Sequence, residues 1–381
     1  MSADTISFAR GAPSLDIVDV DGLREAAQTA LSEDPGGTTA YGTAVGYVPL
    51  RGWIAERHGV DVSQVLVTNG SMQADAFLFD VLVEPGDAVV VERPTYDRTL
   101  LSLRERGAEV HPIALEPDGL DVEALAGALR DGLRPKLAHI IPNFQNPAGS
   151  TLSGAKRHRL LELAREHDFL VFEDDPYVDL RFRGETLPTM LSLDREPPVS
   201  EDSASAMTSG RVVYASSFSK TVCPGVRVGY LIGPPDLISR VQRKATNTYI
   251  APNMLAQSVV FQFARSGAIH RSVDTVKRAL GERAERLGEA LRRELPEARF
   301  VAPDGGYFLW VELPEDVDVD AVFTAAGERG VTFVKGTDFL LEGGRNTLRL
   351  AYSGITTDDI DEGVRRLAGA VRAATGAAQA A

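Results

Sequence analysis

Ser217, Ser219, Lys220 and Arg227 fall within one stretch, Ser216-Ser217-Phe218-Ser219-Lys220-Thr221-Val222-Cys223-Pro224-Gly225-Val226-Arg227-Val228-Gly229-Tyr230. Apolar runs at Val212 to Ala215 and Val228 to Ile232 predict a strand on either side, so the lysine lies between buried segments. Lysine is seldom buried without a partner. A shielded, rigidly held amine suits Schiff-base formation with a carbonyl cofactor. Two hydroxyls and a guanidinium beside it suit a phosphate, which the planar fork of arginine binds through paired hydrogen bonds. Taken alone, the stretch also allows a solvated lysine in a polar loop.

The elements that must position these groups form an alternation. Val65–Thr68, Ala88–Glu92, Glu109–Ile113, Leu137–Ile141 and Phe169–Glu173 read as strands. Helices are predicted from Ser71 to the Glu84-Pro85-Gly86-Asp87 break, from Thr95 to Arg106, and from a Ser153 cap to His167. Continuous apolar strands alternating with helices imply βαβ units and a mostly parallel sheet buried on both faces. Ligands of such sheets bind at the carboxyl ends of the strands. Ser71, Tyr96, Asn146, Asp174, Tyr177 and Lys220 all follow strands.

Outside this alternation, residues 1–20 read as an ordered arm and 21–32 as a helix capped by Asp21 and broken by Asp34-Pro35-Gly36-Gly37. Tyr41 to Arg51 is a glycine-rich turn entering a helix that ends near His58-Gly59; it lacks the Gly-Lys-Ser/Thr ending of a P-loop. A polar stretch covers 193–210, and helices dominate 234–294. The charged run from Val276 to Leu295 reads as a solvated helix face linking two domains. Strands at Arg299–Val301, Tyr307–Glu312, Val331–Val334 and Thr347–Ala351, with a helix at Val319–Arg329, form an α+β pattern, and the alanine-rich tail from Ala368 is expected to fray. The expected division is 1–34 (arm and helix, part of the small domain), 35–275 (large domain) and 276–381 (C-terminal small domain). A length of 381 residues accommodates this.

The net charge of −14 argues against a nucleic-acid partner, because phosphate neutralisation dominates such binding. Cys223 is the one cysteine, which excludes an intrachain disulfide and fits a reducing compartment. The first residues lack the basic and apolar segments of a signal peptide, and no apolar run reaches the ~20 residues of a membrane helix. A cytoplasmic location is expected. The six histidines show no metal-ligand spacing, so no metal site is expected.

Seven motifs, in order, carry a resemblance: Tyr41…Gly46, Gly70-Ser71-Met72-Gln73, Arg93-Pro94-Thr95-Tyr96, Gln145-Asn146-Pro147-Ala148-Gly149, Asp174-Asp175-Pro176-Tyr177, Ser217 to Lys220 with Pro224 to Arg227, and Leu348-Arg349-Leu350-Ala351. Each is weak alone. Together the chain resembles, over nearly its whole length, the fold-type I pyridoxal-phosphate aminotransferases of classes I and II, within them the 2-aminoadipate and kynurenine aminotransferase branch. The resemblance implies an aspartate-aminotransferase-like α/β fold, with helices sandwiching the large-domain sheet and a smaller α+β domain.

It also implies roles. Lys220 carries pyridoxal 5'-phosphate as a Schiff base and then serves as the base that moves the substrate proton. Asp174 partners the pyridine nitrogen, Tyr177 and Asn146 the phenolic oxygen, and Tyr96 stacks on the ring. Ser71, the Met72 amide, Ser217, Ser219 and Arg227 form the phosphate cup at a helix N-terminus. Tyr41 reaches the phosphate of a neighbouring subunit, implying a homodimer with shared active sites. Arg349, with Asn146, clamps the substrate carboxylate.

Tyr307, Lys335 and Val178 depart from residues common in the family, at positions expected near the substrate. Tyr307 is therefore a candidate substrate contact, and Arg10 is another, for an acidic side chain. The expected function is transfer of an α-amino group from an amino acid to a 2-oxo acid. The alternative is elimination, replacement or carbon–carbon bond formation with the same cofactor. Relatives of this branch also occur behind winged-helix DNA-binding domains; the absence of a basic N-terminal domain here argues against a transcription regulator.

Overall fold

The computed structural model describes residues 5–195 and 210–379. Strands Val65–Thr68, Ala88–Arg93, Glu109–Glu116, Gly119–Leu120, Pro135–Ile140, Leu170–Asp174, Val212–Ser217 and Gly229–Ile232 form one eight-stranded sheet. From one edge the order is 65–68, 229–232, 212–217, 170–174, 135–140, 88–93, 109–116 and 119–120. From 212–217 to 109–116 every neighbouring pair is parallel. Strand 229–232 runs antiparallel to both of its neighbours, as does 119–120 to 109–116.

Alternate residues feed opposite faces, as the strand period of two requires. Val65, Val67, Val90, Ala138, Val171 and Val212 pack in one buried cluster. Leu66, Val89, Val91, Leu137, Phe172 and Val213 pack in another. Both faces are thus covered, which explains why these strands read as unbroken apolar runs.

A second body follows. Strands Phe308–Glu312, Thr347–Ala351 and Val334–Lys335 form an antiparallel sheet with 347–351 at its centre. Helices Ala268–Glu294, Val319–Glu328 and Thr357–Gln379 bury Val276, Leu287, Val322 and Val364 in its core. The N-terminal arm joins this body: Ile6–Ser7 pairs in parallel with Val331–Thr332, and the buried Phe8 accepts a hydrogen bond from Ala351 N–H at its carbonyl.

Several local expectations change. Asp19, not Asp21, caps helix Val20–Glu33, its carboxylate accepting from Gly22 N–H at 2.8 Å. Asp34 ends the first helix as expected, but it also accepts from Gly37 N–H and caps a short second helix, Pro35–Thr39, so the break is not followed by coil. Ser153 precedes helix Gly154–Glu166 but makes no side-chain cap bond. Arg299–Val301 shrinks to one bridge, Arg299 to Glu312. Val331–Val334 splits between two sheets, because Val331–Thr332 pairs with the arm and Val334–Lys335 with 347–351.

A helix at Val122–Arg130 lies where the sequence reading assigns no element; Asp121 caps it, and Leu125 and Leu129 anchor it. The tail does not fray at Ala368: the last helix runs to Gln379, and Ala368, Ala370 and Val371 are buried. The expected polar stretch 193–210 lies mostly outside the described residues. No helix among the described residues is long and apolar enough to cross a membrane.

The charged face of Ala268–Glu294 is not wholly solvated either. Arg283 is buried, donating to Ser14 Oγ and the Ser353 carbonyl at 2.9 Å each and pairing with Asp16 at 2.6 Å. It ties the arm to the second body. Arg283→Ala leaves the Ser353 carbonyl with only the Ser14 N–H as donor and should cost about 2 kcal/mol, on the scale of a lost charge-assisted hydrogen bond. The expected outcome is a lower thermal midpoint and faster proteolytic cleavage of the arm near Asp16; unchanged midpoint and cleavage would show that the arm is held by other contacts.

Candidate active site

The carboxyl ends of five strands converge on one cleft of about 500 Å³. Strand 65–68 delivers Ser71 and Met72, 88–93 delivers Tyr96, 135–140 delivers Asn146, 170–174 delivers Asp174 and Tyr177, and 212–217 delivers Ser217, Ser219 and Lys220. Arg227 closes the same loop, and Arg349 reaches in from strand 347–351 of the second body.

Lys220 is partly buried. Its ammonium donates to the Gly11 carbonyl at 2.8 Å and lies 5.0 Å from the Tyr307 ring centroid and 5.8 Å from that of Tyr177. Burial, reinforced by the charges of Arg349 and Arg227, lowers its pKa to about 8. Desolvation and like charge both oppose an ammonium. The amine is thus a usable nucleophile near neutrality.

At one end of the cleft the backbone prepares an anion site. Gly70 takes φ +90° just before helix Ser71–Leu82, and a Cβ there would lie 2.3 Å from Arg227 Nη2. A Cβ at Gly229 would lie 2.4 Å from Ser71 N. Only glycine permits both approaches. The Arg227 guanidinium donates to Ser219 Oγ at 3.2 Å, while Ser219 N–H donates to Ser217 Oγ at 3.1 Å. Hydroxyls, a guanidinium and a helix N-terminus meet here, as anion binding requires.

Arg349 is 7% exposed. It donates to Asn146 Oδ1 at 2.9 Å and the Ala9 carbonyl at 2.8 Å, and its guanidinium stacks 4.1 Å from the Phe308 centroid and 4.9 Å from that of Phe339. In the same cleft, Asp174 keeps Oδ1 without a hydrogen-bond partner among the described residues. His139 is fully buried with Nε2 3.7 Å from Asp174 Oδ2, an electrostatic contact too long for a hydrogen bond.

Sequence reasoning missed His139, because one histidine in an apolar strand gives no ligand-like spacing. It also missed Glu92, buried beneath the cleft, which accepts from Ile141 N–H and Gln145 Nε2 and so holds the loop that carries Asn146; burial raises its pKa to about 8. Asp75, a further lining residue, was missed too. An acidic residue five positions into a helix, otherwise followed by Phe77, Leu78 and Phe79, was the available signal.

The two expected substrate contacts Tyr307 and Arg10 are not among the lining residues, and Tyr41, expected to serve a neighbouring subunit, is outside the cleft of its own chain. Tyr307 is fully buried under Lys220, its hydroxyl donating to the Lys220 carbonyl at 3.1 Å, so it supports the loop and does not line the cleft. Arg10 is exposed and not among the lining residues, although its neighbours Ala9 and Gly11 are. Tyr41 is 90% exposed and outside the cleft of its own chain. Lys335 and Val178 are likewise not among the lining residues; Lys335 pairs with Asp320 at 2.6 Å.

Comparison with known proteins bears on this arrangement. Residues 3–367 match the model of the family described as aminotransferase class I and II. The chain belongs to that family. It is 35% identical to a 2-aminoadipate transaminase of Thermus thermophilus, covering 96% of this chain and 90% of that one. It is 31% identical to an aromatic-amino-acid aminotransferase of Thermococcus litoralis, over 97% of this chain and 89% of that one. A crystal structure of an alpha-aminoadipate aminotransferase from Thermus thermophilus, complexed with N-(5'-phosphopyridoxyl)-L-leucine, superposes with a TM-score of 0.91 at 33% identity, covering 98% and 94% of the two chains. The aspartate-aminotransferase-like fold implied by the motifs is therefore the fold present. Amino-group transfer is the reaction of this aminotransferase, and no observation favours the elimination or bond-forming alternative.

A pKa near 8 for Lys220 has a direct readout. In the apoprotein, its reductive methylation should rise with pH around a midpoint of about 8, as the free amine replaces the ammonium. A solvated lysine follows the ordinary value near 10.4. Peptide mass spectrometry across pH 6 to 11 checks this; a Lys220 midpoint near 10 would show that the cleft does not perturb it.

Proposed function

We propose that the cleft binds pyridoxal 5'-phosphate through Lys220 and uses it to move the α-amino group of an amino acid to a 2-oxo acid. The observation that carries this is Lys220 itself: an amine with a lowered pKa, between an anion cup and a buried arginine. The residues fit the cofactor. Ser71, the Met72 amide, Ser217, Ser219 and Arg227 suit its phosphate, where the two glycines clear space that a Cβ would fill. Asp174 Oδ1, otherwise without a partner among the described residues, suits a ring N–H. Tyr96 suits the ring face, and Tyr177 with Asn146 the phenolic oxygen. Bound there, the cofactor supplies an aldehyde for amines and a protonated ring that withdraws electrons from the substrate Cα.

The chain's own groups do the rest. Arg349 orients the substrate by its carboxylate, with Phe308 and Phe339 keeping the guanidinium in place and Asn146 sharing the contact. That orientation sets the Cα proton toward Lys220, which accepts it once its amine is free and returns it in the second half of the reaction. Asp174 holds the ring proton. Tyr307 fixes the Lys220 backbone from below.

We further propose a homodimer in which Tyr41 completes the partner's phosphate site. Its exposure supports this, as do exposed Val48, Ile250 and Leu255 and the packing of Gly42 against Met254. We place the large domain roughly at 20–275 and the small one at 276–381 with the arm. The arm pairs with 331–332, whereas helix Val20–Glu33 packs on Met254–Arg265, so the boundary belongs nearer residue 20 than 34. A cytoplasmic setting is proposed from the single cysteine.

Lys220→Ala should retain no cofactor covalently after borohydride reduction and should lose transamination by a factor of at least ~10³, the scale on which removal of a covalent catalyst acts. Retained label in that variant would overturn the assignment. Arg349→Ala should raise KM for the amino acid about 100-fold, as expected for loss of a paired charge-assisted contact, while cofactor absorbance persists; an unchanged KM would remove Arg349 from substrate binding.

A further inference from the structure

Asp75 is a carboxyl that the reading above does not use. It projects from helix Ser71–Leu82, the helix whose N-terminus forms the anion cup, and it is 7% exposed. It lines the main cleft together with Asp174 and also lines a smaller cavity of about 230 Å³ on the other side, with Met72, Phe79, Arg98 and Thr99. Its Oδ1 is buried without a hydrogen-bond partner among the described residues, as is Asp174 Oδ1. Two bare carboxylate oxygens therefore share the ring-nitrogen end of one cleft. A single ring N–H can satisfy only one of them.

The charges around it do not resolve this. Asp174, on strand 170–174, bears on Asp75 with like charge. Arg98, on helix Asp97–Glu105, lines both cavities but is engaged by Asp97 at 3.3 Å, and Glu105 of the same helix adds negative charge at the smaller cavity. His139 approaches Asp174. Tyr96 feels the charge of both carboxyls. Burial and Asp174 push the Asp75 carboxyl well above the ordinary carboxylate range. An isolated buried anion is costly, and of two adjacent carboxyls one keeps its proton.

We infer that Asp75 is a positioning residue for the ring nitrogen: a protonated carboxyl that donates its hydrogen bond to Asp174, so that the pair carries one negative charge and that charge stays on Asp174. No bond breaks. Donation from Asp75 lowers the basicity of Asp174, which leaves the proton they share with the ring on the nitrogen. The inference rests on the cleft being a pyridoxal-phosphate site.

The test reads the ring nitrogen directly, by NMR of holoenzyme loaded with cofactor labelled with nitrogen-15 in the pyridine ring. Wild type and Asp75→Asn, which keeps a neutral donor, should both show a resonance at the protonated end of the pyridine range. Asp75→Leu and Asp75→Ala, which keep no donor, should move it toward the neutral-pyridine value, and at least one of these small apolar replacements should fold, since the position abuts a cavity. The same resonance in all folded variants would overturn the inference, because a space-filling role does not move ring protonation. A shift in the Asn variant as large as in Leu would overturn it too, since the donor would then be irrelevant. Absence of any bound-cofactor resonance in wild type would instead mark failure of the cofactor reading, and the inference would fall with it.

Discussion

Four side-chain cations, Lys220, Arg227, Arg349 and Arg98, line one cleft, in which Arg349 is buried and Lys220 half-buried. In such surroundings like charges repel far more strongly than in water. Burial first, and then the charges of Arg349 and Arg227, lowers the pKa of Lys220, the one of these cations that can shed its proton near neutrality. The guanidiniums cannot deprotonate; under the proposed reading Arg227 would meet the phosphate and Arg349 the substrate carboxylate. The arm adds partial negative charge: the Gly11 carbonyl meets Lys220 and the Ala9 carbonyl meets Arg349. The arm is therefore part of the active site's electrostatics, and Arg283, by anchoring Ser14 and Asp16, holds it in place.

The carboxyls beneath the cleft follow the complementary logic. Asp174 keeps Oδ1 without a hydrogen-bond partner among the described residues, whereas Glu92 Oε2 accepts from backbone and amide donors of the Asn146 loop. Asp75 has neither kind of partner. It lines two cavities, a feature that the family motifs alone do not convey.

Arg349 is wedged between Phe308 and Phe339, and Val334, Asp97 and Asp338 line the same cleft. The expected specificity residues Tyr307, Lys335 and Arg10 are not among the lining residues. The expected departures from the family pattern do not identify the side chains that line the cleft. Tyr307 braces the lysine loop from below.

The sequence by itself determined the alternation of strands and helices, the placement of candidate residues after strands, and the identity of Lys220, Asp174 and Arg349 as chemical groups. Those features are local: an apolar run, a turn and a reactive side chain are written within a few residues of one another. Only the tertiary structure decided which groups meet. That Ala9 and Gly11 of the arm cap residues more than two hundred positions away, that His139 backs Asp174, that Asp75 lies beside it, and that Tyr41 and Arg10 face outward depend on how strands are ordered and how the second body docks. The same holds for Arg283, which reads as one charge among many along a helix and becomes buried only because the arm crosses over it. Burial and charge are set by neighbours distant in the chain, and a linear pattern carries no record of them.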